Sequence, residues 1–300
     1  MSPTPHNTTE DAKLGLIAGI MAYSFWGAFP IYFKITQEAS AVEILAHRIV
    51  WSLPFALLII VLRRQWPELK RALKIPRLVG LLTLAAIALS INWGVYIWAV
   101  QNEQIFQGSL GYFINPLMFV LVGLVFFKER LTRLQSVSIA FALIGVTILT
   151  LYGGVFPYIS LTLAASFGLY GVIRKQVDVG AIPGLAIETA VLFIPAAAYL
   201  IWLQSQGNLT FGTGPGITGL LLLAGPVTVL PLWAFAIAAR NLKLSTLGML
   251  QYIGPTGQFM LALYYGESFT PAHAWCFGFI WVGIAIYSYD AYRRREKTVS

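Results

Sequence analysis

"AVEILAHRIVWSLPFALLIIVL", residues 41–62, is the stretch on which the reading of the whole chain turns. It is nearly all apolar, and about twenty such residues in helical form cross a bilayer. Yet it carries Glu43, His47 and Arg48 within six positions. Ionisable groups in hydrocarbon are costly, so in a spanning helix they face the protein interior or a wet cavity and often mark a pathway. Whether the helix spans at all depends on the rest of the chain.

The chain is 58% hydrophobic and 11% charged, with a mean hydropathy of +0.73. Soluble domains carry about 25% charged residues. A soluble chain of 300 residues could not hide this much apolar surface in one or two cores, which leaves lipid. One cysteine, Cys276, excludes an intramolecular disulfide and reads as a small apolar side chain. The net charge of +8 comes from basic residues between apolar segments, so membrane topology explains it and nucleic acid is not called for. Residues 1–12 read as a disordered polar tail and residues 292–300 as a basic one. No cleavable signal peptide is evident.

Ten apolar stretches are long enough to span: 14–33, 41–62, 78–100, 105–127, 134–151, 155–173, 182–203, 216–239, 244–265 and 271–290. Ten spans put 18 of the 20 Lys and Arg on one side, all but Lys34 and Arg48. By the positive-inside rule both termini are then cytoplasmic. The loop "RRQWPELKRALKIPR" (63–77) is basic, with Trp66, Leu69 and Leu73 available to a headgroup layer. It reads equally as a surface-lying helix and as a solvated loop.

The halves resemble each other. "WGAFPIYFK" (26–34) aligns with "FGLYGVIRK" (167–175) at an offset of 141 residues, which also sets Pro54 on Pro195 and His47 on Glu188. Trp93 meets Trp233 at 140, "YFINP" (112–116) meets "QYIGP" (251–255) at 139, and "FFKERL" (126–131) meets "YYGESF" (264–269) at 138, as Gly145 does Gly283. Two five-span repeats, 13–152 and 153–291, follow. Five is odd, so the second enters the membrane from the opposite side. The predicted fold is an all-α integral membrane protein of ten transmembrane helices in two inverted five-helix repeats. Such symmetry serves alternating access about a site near mid-membrane.

These motifs resemble the drug/metabolite transporter superfamily of EamA type. "EILAHRIVWS" (43–52), "NWGVYIWAV" (92–100), "SLGYFINPL" (109–117), "STLGMLQYIGPT" (245–256) and "FIWVGIAI" (279–286) are similar to its RarD group, named for chloramphenicol sensitivity. The resemblance implies small-molecule transport, as efflux, and a central cavity lined by spans three, four, eight and nine.

Within those spans the candidate substrate-binding residues are Asn92, Trp93, Tyr96, Tyr112, Asn115, Trp233, Gln251 and Tyr252, with Arg48 added from span two. Aromatic rings with a few amides suit an amphipathic organic substrate, and Arg48 suits an anionic group. Pro116 and Pro255 shape their helices by removing a ladder donor. His47, Glu43 and Glu188 are candidates for proton coupling. Proton coupling and uniport are both compatible with the sequence. Glu129 and Glu267 read as capping groups at span ends, and "GLIAG" (15–19) as a close-packing face. The three histidines, His6, His47 and His273, form no metal-spaced or catalytic cluster, so neither cofactor, metal nor enzymatic site is expected. The competing reading is a membrane-embedded lipid-modifying enzyme, or a sensor without transport. The expected partners are a small molecule, the bilayer of the inner (plasma) membrane and protons where coupling applies. Nothing in the sequence speaks to the oligomeric state.

Overall fold

A computed structural model describes residues 8–127, 131–154, 156–242 and 244–299. Side chains at 8, 9, 119–127, 244, 245 and 291–299 are not described. His6, Lys128, Glu129, Arg130 and Lys243 lie outside the described residues.

Every element among the described residues is a helix. In chain order they are α1 (Thr8–Gly27), α2 (Phe29–Ile35), α3 (Ala41–Leu62), α4 (Trp66–Leu73), α5 (Pro76–Gln101), α6 (Ile105–Phe127) and α7 (Arg133–Gly153). The second half holds α8 (Tyr158–Lys175), α9 (Ala181–Ser205), α10 (Pro215–Leu222), α11 (Ala224–Asn241), α12 (Leu244–Leu250), α13 (Ile253–Tyr264) and α14 (Pro271–Val299). Seven stretches among the described residues are long and apolar enough to cross a membrane: Glu10–Ile35, Ala41–Leu62, Pro76–Gln101, Arg133–Gly153, Ala181–Ser205, Pro215–Asn241 and Pro271–Asp290.

Local chemistry sets the ends. The Ser40 hydroxyl accepts the Glu43 N–H at 3.2 Å and opens α3. Thr132 and Gln135 form a capping box at the start of α7, which closes on Gly154 at φ 64°. Glu10 and Asp11 sit in the first turn of α1, where the helix dipole favours them. The polar N-terminal stretch is therefore helical from Thr8, and the C-terminal stretch remains helical to Val299.

Three of the ten apolar stretches are interrupted. The first breaks at Ala28, the eighth at Leu223 and the ninth at Gln251–Tyr252. Pro30, Pro226 and Pro255 follow these breaks by a few residues, and each withholds an N–H from a carbonyl of the preceding turn. Pro54, Pro116, Pro195 and Pro231 lie inside continuous helices. Helix α6 thus runs straight through Pro116, whereas the break before Pro255 is where the sequence predicts a shaped helix.

The chain divides into two compact units that do not follow the two sequence halves. Unit 1 takes the chain through Ala86 and Val177–Gly257, and unit 2 takes Ile87–Gln176 and the chain from Gln258. Inside unit 1, α1 packs on α11, and α3 packs on α9 and α11. Inside unit 2, α7 packs on α14 and α6 on α8. Each unit therefore draws on both halves, because the apolar face of each helix finds its cover on a helix of the other half.

The tight crossings occur in matched pairs. A Cβ on Gly145 would lie 2.9 Å from the Cys276 carbonyl oxygen, and one on Gly283 would lie 2.9 Å from that of Ser138. Both pairs, 145/283 and 138/276, are separated by the repeat offset of 138, and Phe141 and Phe279, also mates, meet at 5.7 Å. Each contact is thus reciprocal: i meets j as j's mate meets i's mate. The α6–α8 crossing sets Gly111 on Ser160 and Gly168 on Met118. At the offsets of 139 and 141 this corresponds to Leu250 on Gly19 and Gly257 on Gly27, the crossing found in unit 1.

Candidate functional site

The three ionisable groups of α3 are 1–3% exposed, and each ties α3 to another element of unit 1. Glu43 Oε1 accepts the N–H groups of Thr210 at 2.8 Å and Phe211 at 3.2 Å, and Oε2 accepts the Thr210 hydroxyl at 3.0 Å. His47 stacks on Phe211 with centroids 5.0 Å apart, and its Nδ1 accepts the indole N–H of Trp51 at 3.1 Å. A neutral imidazole with an accepting Nδ1 carries its proton on Nε2, which lies 3.9 Å from Glu43 Oε1. Arg48 Nε donates to Thr228 Oγ1 at 3.0 Å, and its guanidinium carbon sits 5.5 Å from the ring centres of Phe29 and Phe33. Arg48 therefore joins α2, just beyond the first break, to α3 and α11. Such stacking in a desolvated place is worth about 2 kcal/mol.

The first and ninth breaks touch. A Cβ on Gly27 would lie 3.2 Å from the Gly254 carbonyl oxygen, and one on Gly257 would lie 3.1 Å from the Gly27 Cα. Only glycine permits backbone to meet backbone so closely. Pro30 and Pro255 supply no N–H to the carbonyls of Trp26 and Gln251, so polar backbone concentrates at this crossing. Tyr23, Trp26 and Phe235 form an aromatic cluster beside it, with centroids 5.3 to 6.0 Å apart. Trp26 is half-buried, as are Trp233, Gln251 and Tyr252.

Unit 2 holds a second polar and aromatic cluster. Asn92 donates to the Leu163 carbonyl at 2.9 Å and to Ser166 Oγ at 3.1 Å, and accepts the Tyr112 hydroxyl at 3.0 Å. With both amide donors used and 1% exposure, Asn92 ties α5 to α6 and α8. Tyr112 packs edge-on against Tyr96 at 5.4 Å and Phe167 at 6.3 Å, and Trp93 is half-buried. Phe167 is the repeat mate of Trp26, so each unit carries an aromatic ring at that place. Asn115, one turn beyond Gly111, is 6% exposed, and its buried side-chain oxygen has no hydrogen-bond partner among the described residues. An unsatisfied buried acceptor costs about 1–3 kcal/mol.

The remaining candidates are placed as follows. Glu188 is 2% exposed on α9. Glu267 accepts the N–H groups of Ile105 at 2.7 Å and Phe106 at 3.0 Å and so caps α6, a role its place at a span end suggests. Gly15 and Gly19 of "GLIAG" abut Asn241 and Leu250. No cluster of His, Cys, Asp and Glu suited to a metal occurs among the described residues.

Comparison with known proteins fits this geometry. The model of the EamA-like transporter family matches residues 13–151. An uncharacterised transporter of Vibrio cholerae is 44% identical over 94% of this chain and 94% of its own length. Protein RarD of Streptomyces exfoliatus is 42% identical over 96% of this chain and 92% of its own. The chain belongs to the RarD group of the EamA-like transporter family. A solved crystal structure 17% identical in sequence covers 91% of this chain and 96% of its own, with a TM-score of 0.59, and so shares the fold. This RarD-group chain is thus a multi-pass membrane protein of a bacterial transporter family.

Thr210, Phe211, Thr228, Phe29 and Phe33, the partners of the α3 charges, carry no sequence signal of their own. Tyr23 and Phe235 resemble ordinary lipid-facing aromatics until the fold sets them beside Trp26. The glycines at the crossing are legible only in retrospect, through the matched offsets.

Proposed function

We propose that this protein is a secondary transporter of the bacterial inner membrane, with both termini cytoplasmic. It moves a small organic metabolite or drug, amino-acid-like or amphipathic, outward by alternating access between two inverted five-helix repeats. The observation that carries this reading is the crossing of two broken helices at Gly27 and Gly254–Gly257, flanked by Tyr23, Trp26 and Phe235. Interrupted helices at a repeat interface are where transporters expose backbone polar groups to a substrate. The reciprocal contacts of Gly145 and Gly283 support the inverted two-fold relation, and the side on which the basic residues fall supports the orientation.

The prolines suggest how the two states interconvert. The repeat mates of Pro30 and Pro226 are Gly171 and Ala86, so those two breaks are built into one half only. Pro255 has a proline mate, Pro116, and yet only the helix of Pro255 is broken. We assign this pair to the switch. In the alternate state α6 breaks near Tyr112 while the α12–α13 stretch straightens. In unit 2 the side chains assigned to substrate are Asn115, Trp93, Tyr96 and Tyr112; in unit 1 those assigned are Trp233, Gln251 and Tyr252. Asn92 and Arg48 hold these walls in place. Glu43 and His47 serve the tie to Thr210 and Phe211, and proton coupling is assigned to Glu188, a carboxylate 2% exposed in the apolar helix α9.

The test is efflux from proteoliposomes loaded in turn with labelled amino acids, aromatic metabolites and chloramphenicol, with and without a pH gradient. Flux of at least one compound is expected, with Asn115→Leu and Trp26→Ala lowering it about tenfold and Asn115→Leu leaving thermal stability unchanged. Asn115 Oδ1 has no hydrogen-bond partner among the described residues, so the substitution breaks no bond to that oxygen there. Lipid modification in the same vesicles without flux of any compound would overturn the reading in favour of an enzyme.

A further inference from the structure

We propose that α4 and the residues flanking it bind the anionic headgroups of the phospholipid leaflet at the α3–α5 end of the molecule. The chain reaches α4 through a sharp turn. Arg64 adopts φ 55°, a left-handed conformation usually left to glycine, while the Gln65 N–H bonds back to the Ile60 carbonyl at 2.9 Å. Helix α4 is therefore held at the end of α3 and just before α5, both long and apolar enough to span. Its height is fixed at the membrane boundary.

One face of α4 is bolted to the protein. Leu69 and Ala72 are buried, the Glu68 carboxylate accepts the Gly180 N–H at 2.7 Å, and Arg71 donates to the Asp178 carbonyl at 2.9 Å. Glu68 is the only acidic residue in 63–77, and its charge is turned inward to the start of α9. An exposed stripe carries Trp66, Lys70 and Leu73 at i, i+4 and i+7, with Lys74 and Arg77 following. Lys70 Nζ lies 5.8 Å from the Trp66 ring centre.

Apolar exposure and positive charge thus share one stripe. A water-facing helix has no use for 44% exposure of Trp66 and 53% of Leu73. A purely lipid-facing one would not carry Lys70, Lys74 and Arg77. The interface of an anionic leaflet satisfies both, with the rings and Leu73 among the upper acyl chains and the cations on phosphates. Because Glu68 fixes Gly180, lipid held on α4 also steadies the first turn of α9.

The test uses the full chain in vesicles of phosphatidylcholine mixed with phosphatidylglycerol. Bromine is placed on the acyl chains of one lipid or the other, and the Trp66 signal is taken as the difference from Trp66→Phe. Brominated phosphatidylglycerol is expected to quench Trp66 several-fold more, mole for mole, than brominated phosphatidylcholine. Each of Lys70→Gln, Lys74→Gln and Arg77→Gln should lower that preference, and the three together should bring it close to equal quenching. In the unaltered chain, added salt should reduce it in the same way. Equal quenching by the two lipids, or a preference indifferent to salt and to all three substitutions, would overturn the proposal.

Discussion

In unit 1 the apolar stretch of α1 and α2 is cut at Ala28, and the one that α12 begins is cut at Gln251–Tyr252; their repeat mates, α8 and α6 of unit 2, run without interruption. The crossings are otherwise alike: Gly19 on Leu250 and Gly27 on Gly257 in one, Gly111 on Ser160 and Gly168 on Met118 in the other. The same interhelical design therefore holds an interrupted pair and a continuous pair. Prolines account for one difference and not for the other. The repeat mate of Pro30 is Gly171, whereas that of Pro255 is Pro116. What the comparison teaches is that one break follows a proline its mate lacks, while the second, on the switch proposed above, is a choice between two equivalent places.

Removing that choice should have the largest effect. A proline inside a helix costs about 3 kcal/mol, so Pro116→Ala strengthens the straight form of α6 by that order. Flux is expected to fall at least tenfold while the thermal unfolding midpoint holds or rises. Pro255→Ala should also slow flux by favouring a straight stretch in unit 1. Equal flux in Pro116→Ala and the unaltered chain would show that α6 never breaks, and the contrast between the units would then be fixed rather than exchanged.

The next contrast lies in the carboxylate ties. Glu43 is 1% exposed and accepts from two backbone N–H groups and a hydroxyl; Glu267 is half-buried and accepts from two N–H groups. Bonds to a charged group contribute about 1.5–3 kcal/mol each, and the buried set loses most when cut. Glu43→Ala should destabilise by about 3 kcal/mol or more and Glu267→Ala by about 1–2 kcal/mol, read from unfolding in detergent. The reverse order would mean that unit 2, not unit 1, depends on its tie.

These two glutamates also show what was legible in the sequence. That Glu43, His47 and Arg48 are out of place in an apolar helix is visible in the string, as is the end-of-span position of Glu267. Their partners are not, because Thr210 and Thr228 lie more than 160 residues away and resemble any other threonine. Hydropathy and length locate ten apolar stretches, since lipid acts on each segment separately. Which of them break depends on prolines with the same local chemistry at Pro116 and Pro255 and opposite outcomes. The mixing of the two halves into each compact unit is set by packing between distant helices, which local pattern does not encode.

A smaller contrast comes from glycines on matched crossings. A Cβ on Gly257 meets the Gly27 backbone at 3.1 Å, and one on Gly111 meets the Ser160 carbonyl oxygen at 2.8 Å. On Gly168 it meets only the movable Met118 side chain, and on Gly19 the Leu250 tip at 2.8 Å. Gly257→Ala and Gly111→Ala should each cost about 1–3 kcal/mol, and Gly168→Ala and Gly19→Ala under about 1 kcal/mol. Grouping by unit instead of by backbone contact would overturn the matched-crossing account.

The smallest expected difference is between Gly145→Ala and Gly283→Ala. Each new methyl meets a carbonyl oxygen at 2.9 Å, from Cys276 or Ser138, and a phenylalanine Cβ at 3.2 or 3.4 Å. Backbone cannot yield as a side chain does, so each substitution should destabilise by about 1–3 kcal/mol. Their surroundings are related by the repeat, so the two costs should lie close together within the ~1–3 kcal/mol range expected of each. The double variant, with the glycines on facing helices, should cost less than the sum, because one separation of α7 from α14 relieves both contacts. A strongly unequal pair would break the two-fold relation at the place where the sequence repeat and the helix crossing coincide best.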